Sequence, residues 1–154
     1  MTVGDVMTKK KILVVDDNEY LLRAWERILK NEDCTYVMTT NPQAALHYLE
    51  EEGADILISD IVMPQIDGFD LIQRAQRFGT NMRIVLTTGY TCDFGRIKLD
   101  MAAQSIHVLL KPYNDIDQIE KFVKRLIAED PTLEDSDDLS IKKPNDVNIH
   151  VWSL

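Results

Sequence analysis

Apolar positions in this chain follow two different periods. Five short runs are continuously apolar: Ile12-Leu13-Val14-Val15, Tyr36-Val37-Met38, Ile56-Leu57-Ile58, Ile84-Val85-Leu86 and Val108-Leu109-Leu110. Unbroken apolar character predicts strands buried on both faces, as in a parallel sheet. The segments between them carry helical spacing. Leu21, Leu22, Trp25, Ile28 and Leu29 fill one face of a first helix from about Asn18 to Lys30. Asn41-Pro42 is an N-cap followed by a first-turn proline; it opens a second helix with Ala44, Ala45, Leu46 and Leu49, which stops near Gly53. A third helix runs from about Phe69 to Phe78, with Leu71, Ile72 and Ala75 inward and Gly79 at its C-terminus. A fourth, from about Asp93 to Ala103, contains Gly95, which weakens it by about 1 kcal/mol against alanine. A fifth spans about Asp115 to Ala128, with the stripe Ile116, Ile119, Phe122, Val123, Leu126 and Ile127. The regular strand–helix alternation predicts an α/β fold, a doubly wound parallel sheet of five strands with five helices.

The character changes after residue 128. Glu129 to Asp138 holds six acids in ten residues and Pro131, too polar to bury a core of its own, and reads as an acidic linker. The final DVNIHVWSL alternates, with Val147, Ile149 and Val151 on one side and Asn148, His150 and Trp152 on the other. It reads either as an unstructured end or as a strand that adds to a sheet edge. The organisation is therefore an N-terminal extension over 1–10, a globular domain over 11–128, and a linker and tail over 129–154.

Charge narrows the partners. The formal net charge is −9, with −4 carried by residues 1–128 and −5 by residues 129–154. Nucleic-acid binding needs clustered Lys and Arg, so a protein partner is expected. No run of about eighteen apolar residues is present, so no membrane span is expected. The start, MTVGDVMTKKK, lacks the apolar segment of a secretory signal. Cys34 and Cys92 have no CxxC spacing, which fits a reducing cytoplasm and argues against zinc.

In open α/β sheets ligands sit outside the carboxyl ends of the strands. Here the first strand ends in Asp16-Asp17, the third in Ser59-Asp60, the fourth in Thr87-Thr88 and the fifth in Lys111-Pro112. Three carboxylates, a hydroxyl and an ammonium would share one rim. Clustered carboxylates repel, and Mg²⁺, a hard cation that takes oxygen ligands and keeps waters, relieves that repulsion. A lysine beside them can pair with a carboxylate or with phosphoryl oxygens.

The ordered set ILVVDDNE, ISDIVMPQIDGFDLI, IVLTTGY and VLLKPY resembles the response-regulator receiver domain of two-component signalling, over about residues 11–128. The resemblance implies a flavodoxin-like strand order 2-1-3-4-5. It implies that Asp60 accepts a phosphoryl group from a sensor histidine kinase, with Mg²⁺ held by Asp17, Asp60 and the Val62 carbonyl and with Asp16 holding a metal-bound water. Lys111 is implied to pair with Asp60 and then with the phosphoryl group, and Thr88 to be the switch hydroxyl. Pro112 is expected after a cis peptide. Pro64 and Gly68 match the loop after the phosphoacceptor, glycine permitting a backbone turn there. Such a chain catalyses only its own phosphorylation and dephosphorylation, and signals to a downstream protein or a second copy through the fourth helix, fifth strand and fifth helix.

Three features depart from the family pattern, the first being Gln104, followed by Ser105, where a glycine is common just before the fifth strand. Val108 stands at the position, three before Lys111, that is usually aromatic and coupled to the switch threonine. His107 beside it points to the opposite face and is expected at a surface or sheet edge. Val62 and Tyr90 stand where the family modulates attack of water on the acyl phosphate, and an apolar and a bulky residue there predict a long-lived phosphorylated state. Two other classes compete. An aspartate-nucleophile phosphatase of the haloacid-dehalogenase type would need an Asp-x-Asp motif that adjacent Asp16-Asp17 does not give. A pseudo-receiver that binds without phosphorylation is the closer alternative, kept open by Val108.

Overall fold

The computed structural model describes residues 9–78, 81–89, 105–130, 139–142 and 148–152. The elements in chain order are β1 (Lys10–Val15), α1 (Glu19–Leu29), β2 (Cys34–Thr39), α2 (Pro42–Glu51), β3 (Ile56–Asp60), α3 (Gly68–Ala75), β4 (Arg83–Thr88), β5 (Ser105–Leu110), α4 (Ile116–Ile127), β6 (Leu139–Lys142) and β7 (Asn148–Trp152). The five expected strands pair in parallel in the order β2-β1-β3-β4-β5. The helix expected over residues 93–103 lies outside the described residues, as do Gly79, Tyr90 and Cys92. Accordingly α4 is the fifth helix of the sequence reading.

Two strands extend that sheet. β7 pairs in parallel with β5, and β6 lies antiparallel on the far side of β7. The alternating C-terminal segment thus adds to a sheet edge, and the edge belongs to this same chain.

Local chemistry accounts for the helix starts. Asn18, Asn41, Asp67 and Asp115 each cap a helix, their side-chain oxygens accepting first-turn backbone N–H groups. Pro42 occupies the first turn of α2, where its missing N–H costs nothing. α3 ends earlier than its apolar pattern suggests. The Arg77 and Phe78 N–H groups turn back to the carbonyls of Arg74 and Ala75, tightening the last turn.

Alternate residues of each strand feed two cores, one on each face of the sheet. Leu13, Val15, Leu57, Leu86 and Val108 pack with α2 and α3 through Ala45, Leu49, Phe69, Leu71, Ile72 and Ala75. Ile12, Val14, Ile58, Val85 and Leu109 pack with α1 and α4 through Trp25, Ile28, Leu29, Ile119, Phe122, Val123 and Leu126. This double burial is why the strands read as continuous apolar runs. Two stripe residues depart from the reading: Ile116 is exposed and Ile127 only partly buried.

His107 corrects an expectation. It does lie on the face opposite Val108, but it is 1% exposed rather than at a surface. Phe122 of α4 meets it edge-on at 5.6 Å and His150 of β7 stacks on it at 5.2 Å. The residues that bury it are distant in sequence.

Core and cap should separate energetically. Leu57→Ala, at a fully buried position of central β3, is expected to cost about 2–5 kcal/mol. Asn41→Ala is expected to cost about 1 kcal/mol through the lost cap. Urea unfolding followed by circular dichroism checks both; equal losses would contradict the account.

Candidate functional site

The parallel strands end at one rim, and the expected side chains meet there. One carboxylate oxygen each from Asp16, Asp17 and Asp60 lies within 4.8 Å of the other two. Asp16 and Asp60 are buried while Asp17 is exposed. Asp16 and Asp17 follow the last residue of β1, and Asp60 is the last residue of β3. The registers of β1 with β3 and of β3 with β4 set the relative heights of these ends.

Lys111 follows β5 and bridges two of the acids. Its Nζ lies 3.2 Å from Asp16 Oδ2 and 3.4 Å from Asp60 Oδ1. The sequence reading pairs it with Asp60; the shorter contact is to Asp16. The Lys111 N–H donates to the Thr88 carbonyl at 2.7 Å, which fixes the end of β5 against β4. The Lys111–Pro112 peptide is cis, as expected. Thr87 and Thr88 are both buried, at the end of β4.

Backbone groups hold the acids as well. The Asn18 N–H donates to Asp16 Oδ1 at 2.9 Å, and the Val62 N–H donates to Asp60 Oδ1 at 3.4 Å. Burial pushes the Asp60 carboxyl above its ordinary value, and the charge of Asp16 pushes it further; Lys111 and the Val62 N–H act in the opposite direction. Burial and Asp16 win, so ionised Asp60 is under-compensated where it stands. Three carboxylates facing one ammonium leave a negative excess that a divalent cation with oxygen ligands would neutralise. The donor set therefore fits Mg²⁺.

Gly68 is required for a reason the sequence reading did not give. A Cβ there would lie 2.5 Å from the Asp60 carbonyl oxygen and 2.8 Å from Ile61 Cα. The Gly68 N–H also donates to the Ile61 carbonyl at 2.8 Å. Close approach of two backbones demands the glycine, and the left-handed residue of this loop is instead Gln65, at φ 71°.

A cavity opens beside Asp60 and Lys111, walled by Leu21, Val62, Pro112, Tyr113 and Ile116. Tyr113 had no assigned part, although it follows Lys111-Pro112 directly. It meets Trp25 edge-on at 5.9 Å, and burial raises its phenol above the ordinary value. Val62 is 56% exposed in this wall.

A doubly wound parallel sheet with an acidic pair after β1, an acid ending β3 and a lysine after β5 defines a class of signalling module. The family model for the response regulator receiver domain matches residues 12–124. The chain belongs to the response regulator receiver family. It is 30% identical over 119 residues to the response regulator receiver protein CpdR of Brucella abortus (strain 2308), covering 77% of this chain and 98% of that protein. It is 27% identical over 126 residues to sporulation initiation phosphotransferase F of Bacillus subtilis (strain 168), covering 79% and 96%. Among solved structures, a CheY-like response regulator receiver domain protein from Methanospirillum hungatei JF-1 matches with a TM-score of 0.66 at 27% identity, covering 79% of this chain and 96% of that one. No helix of the described residues is long and apolar enough to cross a membrane.

The raised Asp60 carboxyl carries a pH prediction. The folded chain binds that proton more tightly than the unfolded chain. Stability therefore falls as pH rises from the unfolded carboxylate value of about 3.9 through the raised folded value, and the deficit is constant above it. Asp60→Asn should unfold at higher urea than the parent at pH 7 without divalent cations, and the gap should narrow at pH 4. A parent at least as stable as the variant at pH 7 would contradict this.

Proposed function

We propose that this receiver domain takes a phosphoryl group onto Asp60 from a phosphohistidine of a sensor histidine kinase. The observation that carries the proposal is the meeting of three carboxylates within 4.8 Å, two of them bridged by Lys111. A carboxylate oxygen of Asp60 attacks phosphorus, the phosphorus–nitrogen bond breaks, and the electron pair leaves on the imidazole, which keeps or gains a proton. Phosphoryl transfer asks chiefly for positioning and charge stabilisation. The Val62 N–H and Lys111 orient the attacking carboxylate, and Lys111 then exchanges its pairing for phosphoryl oxygens.

Asp17, Asp60 and the Val62 carbonyl are proposed to hold Mg²⁺, with Asp16 acting through a metal-bound water. When bound, the ion neutralises the crowded carboxylates and the phosphoryl oxygens. The new group adds negative charge and acceptor oxygens, towards which the Thr88 hydroxyl turns. The chain turns over no substrate beyond its own aspartyl phosphate. Its output is binding of a downstream protein or a second copy through residues 93–103, β5 and α4, a face on which the edge of β5 is paired with β7 in this structure.

Incubation with acetyl phosphate and Mg²⁺, followed by intact-mass measurement, is expected to add one phosphoryl group to the parent and none to Asp60→Asn or to the parent in chelator. A parent that takes none, while still folded, would favour a phosphorylation-independent interaction module. Uptake by Asp60→Asn would place the acceptor elsewhere.

Exposed, apolar Val62 offers no polar group to guide water to the acyl phosphate. The Val62→Asn, Tyr90→Glu double variant is expected to lose its phosphoryl group several-fold faster than the parent, measured by the decay of the same mass. An unchanged lifetime would show that these two positions do not limit hydrolysis.

A further inference from the structure

β7 closes the edge of β5 over five paired residues, from Ser105 opposite Asn148 to Leu109 opposite Trp152. Its described side chains on the inner face are His150 and Trp152, 3% and 5% exposed. Trp152 packs on Phe122 of α4 at 5.3 Å and on His107 of β5 at 6.0 Å. His150 lies directly across from His107 in the register and stacks on it, the planes 29° apart. Trp152 Nε1 lies 3.2 Å from His107 Nδ1.

That last contact fixes a protonation state. An indole nitrogen is a donor only, so His107 Nδ1 must accept and must carry a lone pair. The imidazole is therefore neutral in this arrangement. A protonated His107 would turn a second N–H towards the indole N–H, losing the bond and setting two donors against each other. It would also place a cation where the side chain is 1% exposed. The His150 ring stacks on the same imidazole and helps to cover it.

The described elements packed on that face present mainly apolar side chains to it. β4 presents Val85, the register partner of His107, and α4 presents Ile119, Phe122, Val123 and Leu126. The charged side chains of these elements, Arg83 on β4 and Asp117, Glu120, Lys121, Lys124 and Arg125 on α4, are half-buried or exposed. Arg83 donates to the Leu126 carbonyl at the end of α4. β7 itself contributes His150 as its titratable group.

We propose that β7 is a proton-sensitive latch on the edge of β5, closed when His107 is neutral and released when His107 is protonated. Docked β7 holds the imidazole in its neutral form; released β7 leaves it free to take a proton. Docking is therefore stable above the ordinary imidazole range of about 6.5 and is lost as pH falls below it. Release exposes the backbone N–H and C=O groups of β5 that β7 now pairs, together with the Phe122 ring. The latch is separate from the carboxylate rim, and its test does not depend on phosphoryl transfer.

The sequence contains two tryptophans, Trp25 and Trp152. The ¹⁵N-labelled full chain therefore gives two indole cross-peaks, assigned with Trp152→Phe or, independently, Trp25→Phe. On titration from pH 8 to pH 5 the Trp152 peak is expected to move to the position of a water-exposed indole. Amides 148–152 should lose exchange protection with it, while those of β1 and β3 keep theirs. His107→Asn retains an acceptor oxygen but cannot titrate in this range, so its Trp152 peak should hold its latched position at pH 5. A Trp152 peak that is unmoved, or already at the free position at pH 8, would overturn the proposal. So would the same transition in His107→Asn, or simultaneous loss of β1 and β3 protection, since the event would then be general unfolding.

Discussion

Lys111 holds two buried carboxylates at once, and much of the molecule is arranged to make that contact. Its ammonium stands 3.2 Å from Asp16 and 3.4 Å from Asp60, although β4 lies between β5 and the strand of Asp60, and both β4 and β3 lie between β5 and the strand that leads to Asp16. Bringing them together requires parallel strands whose ends finish level, since a slip of one residue would turn each side chain to the other face. The two-faced apolar core secures that level. Leu13, Leu57, Leu86 and Val108 lock one side and Ile12, Ile58, Val85 and Leu109 the other. The backbone bond from Lys111 to Thr88, at 2.7 Å, secures the last residue.

The rim remains imperfectly neutralised. Burial and Asp16 both oppose ionisation of Asp60, and one lysine does not offset them. A site with this residual charge is suited to a cation and to a reaction in which charge is redistributed. The loop after β3 pays attention to the same point: Gly68 lets the chain pass within contact of the Asp60 backbone, and the Val62 N–H reaches back to its carboxylate.

Most of this was legible in the sequence because it is local. Continuous apolar runs gave the strands, Asn41-Pro42 and Asp115 marked helix starts, and the chemically pointed residues sit where each run stops. Asp16, Asp17, Asp60 and Lys111 gather at the rim that the strand ends predict, while the order of the five parallel strands agrees with what the family resemblance implies and no local pattern carries it. What escaped it depends on contacts between distant segments. His107 reads as a surface residue until Trp152, 45 positions away, and Phe122 cover it. The alternation over residues 147–152 permitted a docking strand but could not name its edge, because edge choice rests on the vacant side of β5. Gly68 was legible as a necessary glycine, but its reason is contact with Asp60 and Ile61, which a one-dimensional pattern does not contain.

The central claim is that the acidic rim receives a phosphoryl group on Asp60 beside Mg²⁺. A crystal structure of the full chain with Mg²⁺ and beryllofluoride, a phosphoryl mimic, tests it most directly. The account predicts beryllofluoride on an Asp60 carboxylate oxygen, Lys111 moved from Asp16 onto a fluorine, and Mg²⁺ ligated by Asp17, Asp60 and the Val62 carbonyl. Beryllofluoride absent from Asp60, with Lys111 still bridging Asp16 and Asp60 at saturating ligand, would contradict it.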